Sequence, residues 1–335
     1  MSQPWVAVLG LALVLLPAVA VATRWFACRV RAGQFVRAEG PESHTQKAGT
    51  PTMAGVVPLG LFGLAVGIAG LAGVPLTARM GFVMAACGAG AALGLADDVL
   101  SQRLRRSQGI PAGPMLGLQV VAAAALYGLS FTLPEVSLAV PFFPDGIDAA
   151  ALPAWAGFML VGFGYLGAVN AVNMTDGLDG LAAGCVALVL VGALPVVLWA
   201  PDLGAMVILG AASCAGFLWV NAHPAGAFLG NVGSMGLGGL MFGVYYAGGA
   251  VLLLPLMGGF LALEVLSVIL QVGSYKVTGK RLLRMSPFHH HLERGPVHWP
   301  HWLPGVEWEE PKVVVRLWIV CGLFVAFGIL AWIVP

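Results

Sequence analysis

Long apolar stretches alternate with short polar segments along this chain, and ten of the stretches are long enough to cross a lipid bilayer. Each runs for about 17–22 residues, the length at which a helix spans the hydrocarbon layer. Their centres lie near Leu13, Leu64, Cys87, Ala123, Gly162, Val191, Ser213, Gly243, Leu263 and Leu323. No internal repeat or low-complexity linker divides the chain. The pattern predicts an all-α, polytopic membrane protein with a single domain over residues 1–335.

The basic residues indicate how the spans are oriented. Of the 16 Lys and Arg residues, all but Arg79 lie in or beside the polar segments after the first, third and ninth stretches. Such basic segments face the cytoplasm. Ten spans then place both termini on the outer, periplasmic side. The first stretch, Pro4–Thr23, is too long for a signal-peptide core and lacks a basic start, so we expect it to be retained.

Composition supports lipid as the solvent for most of the chain. Apolar residues make up 59% and charged residues 9% of the sequence, whereas soluble domains carry roughly 25% charge. The net charge of +1 does not favour binding to nucleic acid. The five cysteines show neither the spacing of a metal site nor a disulfide framework, and we interpret them as small core residues.

Two polar clusters come first at the predicted cytoplasmic face. Lys47 and Thr50 belong to a turn-rich segment, in which the lysine could meet a phosphate or the segment could rest on anionic lipid heads. Asp97 and Asp98 end the third stretch. Adjacent acids there are costly unless they face water, a metal or a base, and paired carboxylates suit Mg²⁺. A solvated helix end is the alternative.

The third cluster joins two apolar stretches. Asn170, Asn173, Asp176 and Asp179 recur every three residues, so one helical turn would gather several of them on one side. The two Asp-Gly pairs indicate that the helix breaks there. Four polar side chains exceed what a simple turn requires, and we interpret them as part of a site.

Two further clusters lie near the eighth and ninth stretches. The segment Gly230–Gly239 offers backbone N–H groups that suit a phosphate, although glycine packing between helices explains it equally well. The histidines His289–His291 cannot all bind one ion from a helix, because neighbouring side chains point about 100° apart. One or two of them could contact a diphosphate or a sugar. Glu264 lies within the ninth stretch and is a further candidate.

Taken in order, these clusters resemble the phospho-N-acetylmuramoyl-pentapeptide transferase family. The resemblance runs from about Phe35 to the last stretch. Its motifs read GPESHTQKAGTPTMAG, LADD, NAVNMTDGLDGLAAG, FLWVNAHPAGAFLGNVGSMGLGG, EVLSVILQVGSYKVTGKRLLRMSPFHHHLE and EEPKVVVRLWIV. The histidine triplet followed by Leu-Glu favours this family over the related polyprenyl-phosphate sugar-1-phosphate transferases.

The resemblance implies transfer of phospho-MurNAc-pentapeptide from UDP-MurNAc-pentapeptide to undecaprenyl phosphate, giving lipid I and UMP. It also implies a Mg²⁺ cofactor, a homodimer, and a bacterial inner membrane location with the site on the cytoplasmic face. The implied catalytic residues are Asp97, acting as base or on the substrate phosphate, Asp98, His289 and His290. The implied metal ligands are Asp98, Asp176 and Asn231. The implied substrate-binding residues are Lys47, Thr50, Asn170, Asn173, Asp176, Asp179, Gly233, Ser234 and His291.

The chain departs from the family pattern in three places. Asn231 stands where the family usually has a metal-binding aspartate, and a lysine of the family is replaced near Met115. An insertion rich in Trp, Pro and His covers residues 296–306, and we expect Trp299 and Trp302 to lie in the lipid headgroup layer. The alternatives are a catalytically impaired paralogue that binds nucleotide-sugar or lipid phosphate, and a transporter, which the one-sided polar residues disfavour.

Overall fold

Helices dominate the protein. The computed structural model describes residues 3–29, 49–106, 109–134, 137–148, 152–293 and 300–333. The helices are α1 Gln3–Arg29, α2 Val56–Leu71, α3 Ala78–Leu104, α4 Ala112–Ser130, α5 Ala154–Thr175, α6 Leu181–Val197, α7 Pro201–Asn221, α8 Gly230–Ala247, α9 Leu254–Met257, α10 Gly259–Thr278, α11 Phe288–Leu292 and α12 Glu310–Ile333. Two strands, β1 Ser137–Val140 and β2 Phe143–Asp148, form an antiparallel hairpin. The sequence pattern did not predict this hairpin.

The ten predicted spans correspond to ten helices, since each predicted centre lies within α1–α8, α10 or α12. Seven of these ten helices are long and apolar enough to cross a membrane, α2 and α6 are shorter apolar helices, and α8 belongs to neither group. Large apolar side chains cover the outside of the bundle: Phe163 is 76% exposed, Trp219 80% and Val277 85%. Lipid is the solvent that such a surface requires. The prediction of an all-α, multi-pass membrane protein is confirmed.

The two ends of the bundle differ in chemistry. At one end α3 finishes, α8 starts and the histidine segment α11 packs, and we call this the polar end. The opposite end carries the hairpin, whose Ala139 N–H donates to the Gly249 carbonyl at 2.7 Å. Arg79 lies there too and pairs with Asp202, with 3.6 Å between Nη1 and Oδ1. The predicted separation of Arg79 from the clustered polar residues is therefore present in the fold.

Helix α8 is the centre of the bundle, because 15 of its 18 residues are buried. Glycines let its neighbours approach the backbone. A Cβ atom on Gly239 would lie 2.1 Å from the Ala86 carbonyl oxygen of α3, and one on Gly238 would lie 2.6 Å from Cα of Val169 in α5. Gly216 of α7 meets α1 in the same way, 2.4 Å from the Leu16 carbonyl oxygen. Small residues at helix contacts are the means of packing in lipid.

Replacing Gly90 by alanine is expected to destabilise the protein, because the added Cβ would lie 2.2 Å from the Met235 carbonyl oxygen of α8. Overpacking of this kind typically costs about 1–3 kcal/mol. Gly88 on the same helix is the matched control, since its Cβ would meet nothing within 4 Å. Thermal unfolding in detergent should show a lower Tm for Gly90→Ala and an unchanged or higher Tm for Gly88→Ala. Equal Tm values would contradict the close contact.

Candidate active site

Asp98 closes the start of α8 at the polar end. Its Oδ1 accepts a hydrogen bond from the Asn231 N–H at 3.1 Å, and its Oδ2 accepts one from the Val232 N–H at 2.9 Å. The first N–H groups of a helix lack partners within the helix, and a carboxylate also interacts favourably with the helix dipole. The sequence predicted that backbone N–H groups of the glycine-rich segment could bind a phosphate. Two of these N–H groups, those of Asn231 and Val232, instead donate to Asp98.

Asp97 begins a chain of side-chain hydrogen bonds across three helices. Asn231 Nδ2 donates to Asp97 Oδ2 at 2.6 Å, and Asn173 Nδ2 donates to Asn231 Oδ1 at 2.7 Å. Asn173 Nδ2 also lies 3.0 Å from the Ser234 hydroxyl oxygen. We call Asp97, Asn231, Asn173 and Ser234 the amide network. Asp97 and Asp98 are each 7% exposed, which does not fit the alternative of a solvated helix end.

The loop after α3 folds back onto Asp97. The Ile110 N–H donates to Asp97 Oδ1 at 2.6 Å. Gly109 makes this possible, because a Cβ atom there would lie 2.2 Å from the Asp97 carbonyl oxygen. Within the described residues, each carboxylate oxygen of Asp97 thus accepts one of these hydrogen bonds, and a carboxylate oxygen has a second lone pair that can take a proton or a metal.

The segment that contains Thr50 reaches the start of α8 through backbone hydrogen bonds. The Phe228 N–H donates to the Pro51 carbonyl at 2.8 Å, and the Gly55 N–H donates to the Leu229 carbonyl at 2.9 Å. Thr50 is half-buried next to this pairing. Lys47 lies outside the described residues. Gly233 faces α2, because a Cβ there would lie 2.8 Å from Cα of Gly55. These are helix-packing contacts, and substrate binding at Gly233 stays a prediction.

Asn170 does not join the amide network, because its side chain bonds Gln119. Its Nδ2 donates to Gln119 Oε1 of α4 at 2.8 Å, and Gln119 Nε2 donates to Asn170 Oδ1 at 3.3 Å. This reciprocal pair joins α4 to α5. A buried amide is stable only when its donors and acceptors are bonded, so the pair satisfies Asn170 without a substrate.

The segment after α5 carries the remaining predicted acids. Asp176 caps the end of α5 and is half-buried. Asp179 is buried, and its Oδ2 accepts a hydrogen bond from the Ala225 N–H at 3.0 Å. Glu310 Oε1 accepts the Asp179 N–H at 2.7 Å. Asp179 therefore joins the segment after α5 to the segment after α7 and to the start of α12.

The histidines of α11 take three different environments. His289 is fully buried, with its Nδ1 3.2 Å from Glu264 Oε2 and its Nε2 against Gly177, where a Cβ would come within 2.3 Å. His290 is nearly covered, with its Nδ1 3.0 Å from Glu293 Oε2. His291 Nδ1 accepts the Arg284 N–H at 3.1 Å.

The placement of these rings separates their possible roles. A substrate contact by His289 does not fit its buried ring, and its contact with Gly177 joins α11 to the segment after α5. Glu264, a candidate from the sequence, supports His289 through a hydrogen bond from the His289 N–H at 3.2 Å. His290 is partly exposed at the same end, with 14% of its side chain accessible, whereas His291 is buried.

Several side chains of this region were not chosen from the sequence. They are Gln119, which bonds Asn170; Asn221, whose Oδ1 accepts the Gly180 N–H at 3.1 Å; and His223 and Glu310, which contact Asp179. The motifs NAHP and EEP contain three of them. The one sequence signal for Asn221, His223 and Glu310 is that a polar residue stands at the end of an apolar stretch. This signal does not identify a partner, since Gly180 lies 41 positions from Asn221 and Asp179 lies 131 positions from Glu310.

Oxygen ligands for a divalent cation are present at the polar end. Mg²⁺ is usually bound through one or two carboxylates together with phosphate oxygens of a substrate, and the pair Asp97–Asp98 fits that mode. Within the described residues, one group of at least three His, Cys, Asp or Glu side chains has ligand atoms within 4.8 Å of one another, and it consists of Asp179, His223 and Glu310. The ligand set Asp98, Asp176 and Asn231 stays a prediction.

Comparisons with known proteins agree with the motifs. The family described as Glycosyl transferase family 4 matches residues 80–249. Proteins named phospho-N-acetylmuramoyl-pentapeptide-transferase are similar over most of their length. The one from Koribacter versatilis (strain Ellin345) is 37% identical, over 89% of this chain and 84% of its own. The one from Synechococcus sp. (strain JA-2-3B'a(2-13)) is 40% identical, over 91% and 85%. The chain belongs to the phospho-N-acetylmuramoyl-pentapeptide transferase family.

The range matched by Glycosyl transferase family 4 runs from α3 to α8 and contains the whole amide network. Two of the departures from the family pattern also fall within it. Asn231 stands in the network as a donor to Asp97, a bond that an aspartate could make only when protonated. Met115 lies in the first turn of α4 and packs against the apolar core, so no cation stands at that position.

The third departure from the family pattern, the insertion, is described from residue 300 onward, and Trp299 lies outside the described residues. The described part of the insertion runs beside the segment after α10, where the Trp302 N–H donates to the Arg281 carbonyl at 3.0 Å. Trp302 is 58% exposed, and Lys280 Nζ lies 4.9 Å from its ring centre. The headgroup location of Trp302 stays a prediction.

Stability is expected to fall on acidification through His291. Burial, followed by the charges of Arg284 and His301, lowers the pKa of His291 below its usual 6.5. The unfolded chain then binds a proton more readily than the folded protein, so the stabilisation is present above pH 6.5 and decreases as the pH falls below it. Thermal unfolding between pH 7.5 and 5 should show this decrease, and His291→Asn, which keeps an acceptor for the Arg284 N–H, should reduce it. An unchanged slope would contradict the assignment.

Proposed function

We propose that this protein transfers phospho-MurNAc-pentapeptide from UDP-MurNAc-pentapeptide to undecaprenyl phosphate, releasing UMP and lipid I. The observation that carries the proposal is 37–40% identity to transferases of that name across at least 84% of their length. The amide network supports it, because the family's acidic and amide motifs meet in direct contact there. All of these groups lie at one end of a membrane bundle.

The proposed reaction forms one phosphorus–oxygen bond and breaks another. An oxygen of the lipid phosphate attacks the phosphorus next to the sugar, and UMP leaves with the bridging oxygen. Both reactants are anionic, so charge repulsion forms much of the barrier. We assign Asp97 as the base that removes the remaining proton of the acceptor phosphate. Asn231 and the Ile110 N–H hold its carboxylate in place.

Mg²⁺ held by Asp98, Asp176 and Asn231 would neutralise phosphate charge during the transfer. We assign His290 and His291 to contacts with the diphosphate or the sugar, and His289 to positioning, because its ring is buried between Glu264 and Gly177. Lys47 and Thr50 are assigned to phosphate contacts on the segment that precedes α2.

The basic residues support a location of the polar end at the cytoplasmic face of a bacterial inner membrane. That location matches the substrates, since a UDP-linked donor is cytoplasmic and the lipid acceptor presents its phosphate at the bilayer surface. Holding that phosphate at the membrane surface gives proximity to the donor. We further propose a homodimer, as the family resemblance implies.

Asp97→Asn is expected to lower kcat for UMP release by about 10²–10⁴-fold, because an amide cannot take the proton of the acceptor. The assay contains purified protein, UDP-MurNAc-pentapeptide, undecaprenyl phosphate and Mg²⁺. Asp148→Asn, in the hairpin at the opposite end, is the matched control and should retain activity. A loss of less than about tenfold would remove Asp97 from the role of base. No UMP release by the unmodified protein would contradict the proposed function.

Asn231→Asp is expected to increase UMP release at saturating Mg²⁺ and to make activity more dependent on Mg²⁺. The substitution replaces the amide that donates to Asp97 at 2.6 Å by a carboxylate. Two carboxylates at that distance repel each other unless a cation or a proton lies between them. Initial rates over a Mg²⁺ titration measure both effects. Equal Mg²⁺ dependence of the two proteins would place the cation away from Asn231, and turnover by the variant alone would indicate that the natural chain is a catalytically impaired paralogue.

A further inference from the structure

Asp179, His223 and Glu310 form a compact cluster at the polar end that shares no residue with the amide network. His223 Nδ1 lies 3.0 Å from Asp179 Oδ2 and 3.7 Å from Glu310 Oε2. The three side chains come from the segment after α5, the segment after α7 and the first residue of α12. One nitrogen and two carboxylate oxygens thus converge on one small volume.

The separations suit ligands of a single metal ion. If each atom lay about 2.1 Å from the ion, distances of 3.0 and 3.7 Å would give ligand–metal–ligand angles of roughly 90–125°. That range covers tetrahedral and octahedral geometry. Imidazole combined with carboxylate suits Mn²⁺, Co²⁺ or Zn²⁺, whereas Mg²⁺ favours oxygen ligands alone.

Hydrogen bonds from the backbone already orient both carboxylates. The Ala225 N–H donates to Asp179 Oδ2, and Glu310 accepts the Asp179 N–H with Oε1, which leaves its Oε2 directed towards His223. Outer contacts of this kind fix the ligands of metal sites. The carboxylates are buried, with 3% and 6% of their side chains exposed, while 40% of the His223 side chain is exposed. An ion therefore has an entry path past the imidazole.

We propose that Asp179, His223 and Glu310 bind one Mn²⁺, Co²⁺ or Zn²⁺ ion, which joins the segments after α5 and α7 to the start of α12. Three protein ligands leave at least one coordination position for water or a phosphate oxygen. The competing explanation is that contacts from His223 alone compensate the two buried carboxylates. The two explanations differ in one measurable respect, since only a metal site places a metal on the imidazole nitrogen.

The test measures Mn²⁺ binding to the full-length protein in detergent after removal of metals with a chelator, without any substrate. Pulsed electron paramagnetic resonance detects the ¹⁴N nucleus of an imidazole bound to Mn²⁺. We expect this signal in the unmodified protein, together with a higher Tm on addition of Mn²⁺, because a ligand that binds only the folded state stabilises it. His223→Ala should lose the ¹⁴N signal, and His301→Ala, the matched control, should keep it.

Glu310→Gln keeps an acceptor for the Asp179 N–H while losing a charged ligand, so it tests the site even where His223→Ala folds poorly. It should weaken Mn²⁺ binding by at least about 10–100-fold. A ¹⁴N signal that persists in His223→Ala, or no ¹⁴N signal in the unmodified protein, would overturn the proposal. Binding that is equally strong in Glu310→Gln would overturn it as well. The transferase assay does not enter this test, so the two proposals fail independently.

Discussion

The start of α8 is the point on which the site depends. A buried backbone N–H group without a partner costs about 1–3 kcal/mol, and Asp98 supplies partners for two such groups from α3. This requires α3 and α8 to approach closely, and Gly90 and Gly94 permit it because a Cβ on either would overlap a carbonyl of α8. Gly230 completes the junction with φ of +70° next to Asp98 Oδ2.

Capping by Asp98 positions its neighbour Asp97. The Asp97 carboxylate then faces Asn231, and Asn231 in turn faces Asn173 of α5. The proposed base Asp97 is therefore held by bonded neighbours rather than by solvent, which is the condition for a pre-organised site. A second chain of contacts runs from Glu264 through His289 to Gly177 and brings the histidine segment to the same end.

The sequence predicted that the candidate site residues gather at one end of the bundle, but it did not predict which of them contact each other. Asp97, Asn173, and the pair Asn231 and Ser234 come from three separate motifs, and the fold brings them into one network. Asn170 belongs to the same periodic motif as Asn173, yet it bonds Gln119 of α4 and not the amide network. Periodicity identifies the face of a helix, but it contains no information on which neighbouring helix lies against that face.

The order of the spans, the lipid-facing character of their surface and the asymmetry of charge were all determined by the sequence alone. They follow from local composition, because bilayer thickness sets the length of a span and the lipid selects its residues. Only the tertiary structure decided that Asp98 caps a helix, that His289 is buried, and that Glu310 meets Asp179 across 131 positions. These contacts arise where helix ends converge, and convergence depends on the packing of all helices together.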